Sequence, residues 1–222
     1  MKIIKSAIIP LIAIAVCGLL LRSAYVEVKS GIIDRLNSRQ FVMAETAASG
    51  IENFLRHYSA ILTQFSKMNE IASLDEPGRQ LMQVLYRTHS NDIKAITRIS
   101  PSGRLVYAFP EISGAVGADL SSQGPVQTIM QTHQPVISEV FDSTHGSFTI
   151  EFHVPVFKDE VFQGALGVQI PFDQLSRDYI EPIKTGKDGY AWMISHNGTE
   201  LYCPVPGHIG KSVFDNCKDF PA

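Results

Sequence analysis

The sequence predicts an α+β protein. The expected order is an N-terminal transmembrane helix, a long stalk helix, an antiparallel five-stranded sheet domain with covering helices, and the start of a second unit of the same kind. Three observations carry this. An uncharged apolar run opens the chain. Apolar residues then recur at helical spacing from Ile33 to Met68. From Lys94 onward, short period-two runs are separated by turn-forming residues.

The first element is residues 1–28. Ser6 to Leu21 holds 16 residues without a charge, nearly all Ile, Leu, Ala or Val. Ile3, Ile4 and Ser23 to Val28 extend the apolar character on either side. About 20 apolar residues match the hydrocarbon thickness of a bilayer, with Arg22 able to snorkel to the interface. Lys2 and Lys5 on the short leading side put the amino terminus inside. A cleaved secretory signal would end its apolar stretch at a small-x-small site, and no persuasive one precedes Tyr25. The expectation is a single-pass anchor in the inner (cytoplasmic) membrane, with residues after about 25 in the periplasm or outside.

Residues 29–72 follow as one long helix. Ile33, Leu36, Ala44, Ala47, Ile51, Phe54, Tyr58, Ile61, Phe65 and Met68 fall at spacings of three and four, interrupted only at Gln40. Only a continuous helix puts those positions on one side. Its length suggests a stalk that pairs two copies of the chain, so a homodimer through this helix is expected. The Phe and Tyr content of the second half favours packing on a sheet there.

Residues 73–182 form the sheet domain. Asp75-Glu76-Pro77-Gly78 breaks the helix, and a short helix follows over 77–89. Lys94 to Ile99 and Arg104 to Phe109 are strands joined by the turn Ser100-Pro101-Ser102-Gly103. A short helix is predicted over 124–132, then strands over 136–141, 148–156 and 162–170. In the strand from Phe148, the residues Phe148, Ile150, Phe152, Val154 and Val156 share one face, while Thr149, Glu151 and His153 share the other. A helix over 174–179 closes the domain. In 183–222 the hairpin pattern restarts with 190–195, the turn His196-Asn197-Gly198 and 199–203. Forty residues are too few to close a second sheet, so an incomplete second module is expected.

Charge excludes one class. The 222 residues carry a net charge of −3, and no basic patch is dense enough to displace the counterions of a nucleic acid. Enzyme motifs are also missing: there is no G-x-S-x-G, H-E-x-x-H or G-x-x-x-x-G-K-[ST]. His196 and His208 flank Cys203 with no orienting partner suggested, which disfavours a Cys–His nucleophile. Cys203 and Cys217 enclose 13 residues. A disulfide between them would contribute roughly 3 kcal/mol in an oxidising compartment; the alternative is two separate thiols. Metal binding through them lacks a second clustered pair of ligands, so neither metal nor cofactor is expected.

Several stretches resemble the double Cache family, the tandem PAS-like periplasmic sensor modules of bacterial receptors. These are Arg104 to Pro110, Gly117-Ala118-Asp119-Leu120, Pro135 to Val140, Pro155-Val156 and Gly164 to Val168, followed by Gly186 to Tyr190, Asn197-Gly198 and Gly210-Lys211-Ser212. The resemblance covers about residues 30 to 215. It implies a non-catalytic receptor input region. In this family the chain normally crosses the membrane again after the second module and continues into a histidine kinase, a diguanylate cyclase or phosphodiesterase, or a chemotaxis signalling domain. The paired aromatics and arginine that mark amino-acid recognition on the distal module are not evident. Amino acids are therefore given no preference over carboxylates or other small polar solutes.

A ligand in such a module lies between the curved sheet and its loop-and-helix cover. The candidates are Arg98, Tyr107, Asp142, His145, Glu151, His153, Gln169 and Asp173. Arg98 can grip a carboxylate with two parallel bonds, and His153 can change charge between about pH 5 and 7. Each has a plainer alternative. Arg98 can be a solvated strand cation or ion-pair partner and Tyr107 a core or rim residue. Asp142 and His145 can shape a turn, Glu151 and His153 can face solvent, and Gln169 and Asp173 can sit at a strand end, Asp173 as a helix cap. The expected function is extracytoplasmic small-molecule sensing. A dimerising module that binds a periplasmic protein is the alternative.

Overall fold

A computed structural model describes residues 2–111, 114–142, 148–186 and 189–216. It divides into two compact units, Met1–Thr46 and Ala47–Ala222. The first unit is helical throughout its described residues and belongs to α1, Lys2–Ser66. Ile14, Leu19, Leu20, Ile33, Leu36 and Phe41 are among its exposed apolar side chains.

No helix among the described residues is long and apolar enough to cross a membrane. This overturns the expected N-terminal transmembrane helix and, with it, the single-pass inner-membrane arrangement. That expectation rested on composition alone, on the 16 uncharged residues Ser6 to Leu21 and their apolar flanks. Lys5 and Arg22 stand at the two ends of that run.

The second unit is a sheet domain with helices on both faces. Residues 47–66 of α1 are followed by α2 (Asn69–Ser73) and α3 (Glu76–Thr88). Asp75 caps α3 by accepting from Gly78 N–H at 2.9 Å, and Pro77 sits in its first turn, so the predicted helix break is also a helix start. The remaining elements are β1 (Ala95–Ile99), β2 (Leu105–Phe109), α4 (Gly124–Thr132), β3 (Val136–Ile137), β4 (Phe141–Asp142), β5 (Phe148–Lys158), β6 (Val161–Pro171) and α5 (Phe172–Tyr179). The strand order is β2-β1-β6-β5-β3, all antiparallel, with β4 also paired to β5. The strand expected over 136–141 is thus two short pieces on one edge, giving five positions across the sheet.

Alternation along the strands sends two different surfaces to the two faces. Ile96, Ile150, Phe152, Val154, Val156, Leu166, Val168 and Ile170 join Tyr58 and Leu62 of α1, Met82 and Leu85 of α3, and Phe172 and Leu175 of α5 in the larger core. The expected stripe on α1 does pack on the sheet in this half. Gly50 sits under the ring of Tyr179, where a Cβ would come within 2.5 Å of ring carbons. The opposite face holds a smaller core of Ile99, Leu105, Ala108, Val126, Ile129 and Ala165 beneath α4. The last described segments are the pair β7 (Lys184–Thr185) and β8 (Gly189–Tyr190), the hairpin β9 (Met193–Ile194) and β10 (Glu200–Tyr202), and the single turn α6 (Val213–Asn216).

Candidate functional site

The smaller core does not fill its whole face. Toward one end of β5 the surface turns polar, because Thr97, Glu151, His153 and Gln169 occupy the strand positions that alternate with the larger core. Register explains how they meet. Glu151 lies directly across from Gln169, and Gly167 lies between His153 and Thr97 on the two neighbouring strands. A Cβ at Gly167 would fall 2.4 Å from His153 Nδ1 and 2.9 Å from Thr97 Oγ1, so both side chains lean over the glycine. Gln169 Nε2 donates to Glu151 Oε1 at 3.0 Å, and His153 Nε2 lies 3.3 Å from Glu151 Oε2. His153 is buried, and its Nδ1 has no hydrogen-bond partner. Burial pushes the Glu151 carboxyl upward, but the hydrogen bond and charge of His153 and the bond from Gln169 outweigh it and hold it below its ordinary value.

Glu151 opens into a pocket of about 400 Å³ lined also by Gln123, Gly124, Pro125, Ser138, Glu139 and Phe141. Gln123 to Pro125 are the amino-terminal end of α4, where helix dipoles leave partial positive charge. Ser138 is held by the sheet edge: its N–H donates to Glu151 O at 2.8 Å, and its Oγ accepts from Glu151 N–H at 2.8 Å. The break between β3 and β4 therefore makes a pocket wall. Gln123, Gly124, Ser138, Glu139 and Phe141 were not singled out from sequence; the available signal was the Gly124-Pro125 helix start and the polar pair Ser138-Glu139 inside an apolar run.

The other candidates lie elsewhere. Arg98 is 2% exposed and points to the face of the larger core. Its Nε donates to Ile71 O at 3.2 Å, one terminal nitrogen to Ile99 O (2.9 Å) and Ala165 O (3.0 Å), and the other to Ala72 O (3.4 Å) and Gln163 O (3.2 Å). Five N–H groups meet five carbonyls, which ties the end of α2 to β1 and β6. Close approach here depends on Gly164, at φ +99°, where a Cβ would stand 1.9 Å from Ile99 O. Tyr107 also faces the larger core; its hydroxyl accepts from Gln83 Nε2 at 3.2 Å, and Arg79 stacks 6.0 Å above the ring. Asp173 is exposed in the first turn of α5, where Pro171 rather than Asp173 holds the cap position. Asp142 ends β4, and His145 lies outside the described residues. Structure thus brings Glu151, His153 and Gln169 together and separates them from Arg98, Tyr107 and Asp173.

A second concavity of about 350 Å³ lies between Thr63, Ser66 and Lys67 and the segment His133-Gln134-Pro135. A larger hollow runs along α1 between Leu19 and Asp34, lined by that helix alone.

The domain is thus an antiparallel sheet backed by residues 47–66 of α1 on one face, with a polar pocket beside α4 on the other. The chain belongs to the family described as HK/GC/chemotaxis protein-like, sensor domain, whose match covers residues 59–170, just over half its length. It is accordingly a sensor domain of the kind that serves signal input. No curated protein sequence matches the chain. Among solved structures, it is similar to an extracellular ligand-binding receptor from Desulfohalobium retbaense (19% identity, TM-score 0.64), with 79% of this chain and 33% of that chain covered. The chain therefore spans about a third of that receptor's length. It is also similar to the ligand-binding domain of the Pseudomonas aeruginosa amino-acid chemoreceptor PctC in complex with GABA (19% identity, TM-score 0.65, 79% of each chain). A third is the ligand-binding domain of the Pseudomonas fluorescens chemoreceptor CtaA in complex with L-serine (17% identity, TM-score 0.60, 79% of this chain and 75% of that one). At these identities the likeness establishes the Cache-like fold expected from the sequence.

Proposed function

We propose that the chain senses a small solute bearing an ammonium group, held in the pocket beside Glu151. The observation that carries this reading is the acidic character of that pocket: Glu139 and Glu151 line it, and among the described residues no Lys or Arg does. Arg98, the sequence's candidate for gripping a carboxylate, already bonds five carbonyls on the other face. A carboxylate on the same solute has a weaker site available at the amino-terminal end of α4. Amines and amino acids therefore suit the pocket better than simple organic acids. The ligands named for the similar chemoreceptor domains, GABA and L-serine, each carry both groups, which supports the same choice.

Signal leaves through the strands. Glu151 and His153 face the pocket, while Ile150, Phe152 and Val154 between and beside them pack in the core that contains Tyr58 and Leu62 of α1. A ligand that prefers one arrangement of β5 thereby biases the seating of α1, provided its affinities for the two arrangements differ. We read α1 as the route of output and as the contact between two copies of the chain, with exposed Ile33 and Leu36 as the pairing residues.

Thermal-shift titration of the full chain against amines, amino acids and dicarboxylates tests the ligand reading. A true ligand at 100 times its Kd stabilises by about 2.7 kcal/mol, or roughly 5–10 °C for a domain of this size. Ammonium-bearing solutes should give the shift, and Glu151→Gln should remove it. A response confined to dicarboxylates, or one indifferent to Glu151→Gln and Glu139→Gln, overturns the assignment.

A further inference from the structure

Glu200, Cys203 and His208 converge at the hairpin β9–β10 and the loop after it, and none of the three lines the pocket just described. Their ligand atoms all lie within 4.8 Å of one another. The pairing of β10 with β9 slips between Glu200 and Tyr202. A bulge of this kind breaks strict alternation, which lets residues three apart turn toward one side. The loop then folds back onto the strand: Gly210 N–H donates to Glu200 O at 2.8 Å, Glu200 N–H to Lys211 O at 2.8 Å, and Lys211 N–H to His208 O at 3.1 Å. These bonds deliver His208 to the other two side chains.

One atom marks the cluster as more than proximity. Glu200 is 3% exposed, and its Oε2 is buried without a hydrogen-bond partner. A buried carboxylate oxygen in that condition is costly unless something positive meets it. It lies 3.4 Å from His208 Nδ1, and Cys203 Sγ lies 3.8 Å from the same nitrogen. Acid and thiol on a single ring nitrogen is the wrong arrangement for a nucleophilic relay, which needs them on opposite nitrogens. Three different donors facing one point is the arrangement a cation uses.

We propose that Glu200, Cys203 and His208 form a three-ligand site for a divalent cation of the zinc class, with a fourth position left to water or an exogenous donor. Binding forms a metal–sulfur bond, breaks the S–H bond of Cys203 and releases that proton to solvent. Carboxylate and thiolate then balance the two positive charges, and neutral imidazole completes the set. The thiolate disfavours Mg²⁺ and Ca²⁺, which take oxygen ligands. The absence of a second cysteine pair, which argued against a metal from sequence, does not bear on a site whose ligands are assembled by a bulge and a returning loop.

The test uses the full chain, reduced, stripped with a chelator and titrated with Co²⁺. A thiolate-to-cobalt charge-transfer band should saturate at one equivalent, disappear on adding Zn²⁺ and survive excess Mg²⁺ or Ca²⁺. Cys203→Ser should abolish the band, and Glu200→Gln should weaken Co²⁺ binding by more than about tenfold. Cys17→Ser and Cys217→Ser should leave it intact. Circular dichroism checks that each variant folds. X-ray absorption of the wild-type zinc form reads one sulfur among nitrogen and oxygen ligands without any variant. No band, a band insensitive to Cys203→Ser, sulfur-free coordination, or a Cys203–Cys217 disulfide that excludes the metal each overturns the proposal.

Discussion

Arg98→Met isolates the buried guanidinium. Methionine keeps an unbranched apolar stem and removes all five N–H groups that meet Ile71, Ala72, Ile99, Gln163 and Ala165. Four of those bonds are 3.2 Å or shorter, and the one to Ala72 O, at 3.4 Å, is weak. At the lower end for bonds from a charged donor, about 1.5 kcal/mol each, the four contribute about 6 kcal/mol. Burial works against them, pulling the guanidinium down from its ordinary value to about 10, a penalty on the order of 3 kcal/mol that methionine does not carry. The net expected loss is about 3 kcal/mol, a large share of a typical domain's stability. Both the folded and the ordinary value lie above neutral, so the cation persists in folded and unfolded chain and the loss should not vary between pH 6 and 8. Urea unfolding of the full chain measures it. A variant within about 0.5 kcal/mol of wild type refutes the structural role. A variant with normal stability but no ligand response would return Arg98 to the binding site.

Gly167→Ala drives a methyl group into His153 Nδ1 and Thr97 Oγ1; overpacking of this kind costs about 1–3 kcal/mol, and calorimetry should find ligand affinity falling with it. Glu151 gives a pH signature. Its folded pKa is depressed below the ordinary 4.5, so its contribution is fully present above that value and is lost as pH falls through the folded value; Glu151→Gln should flatten this part of a melting-temperature profile. Asp75→Ala removes the cap bond to Gly78 N–H and should cost about 1 kcal/mol in chemical denaturation. Leu36→Glu, on the exposed part of α1, should shift the chain toward monomer in light scattering if α1 pairs two copies.

Period and turn chemistry made most of the sheet domain legible. The helix at 124–132 was placed correctly because Gly124-Pro125 starts it and His133, in the left-handed region at φ 55°, ends it. The period-two runs located β1, β2, β5 and β6 and the face of β5 that carries Glu151 and His153. The edge strand was read as one piece because Val136 to Phe141 is largely apolar; the chain leaves the ladder around Ser138 and Glu139 to wall the pocket. Composition makes the amino-terminal run read as a membrane span, whereas no helix among the described residues is long and apolar enough to be one.

By itself, then, the sequence determined the element types, the alternation of β5 and the family, since these depend on spacing along one chain. Only the tertiary structure decided what each polar side chain meets. Arg98 and Glu151 are both charged residues in predicted strands. Pairing register and the neighbouring helices turned one into a clamp on five carbonyls and the other into the floor of a pocket. Those contacts join residues as far apart as Arg98 and Ala165, a distance that no local pattern encodes.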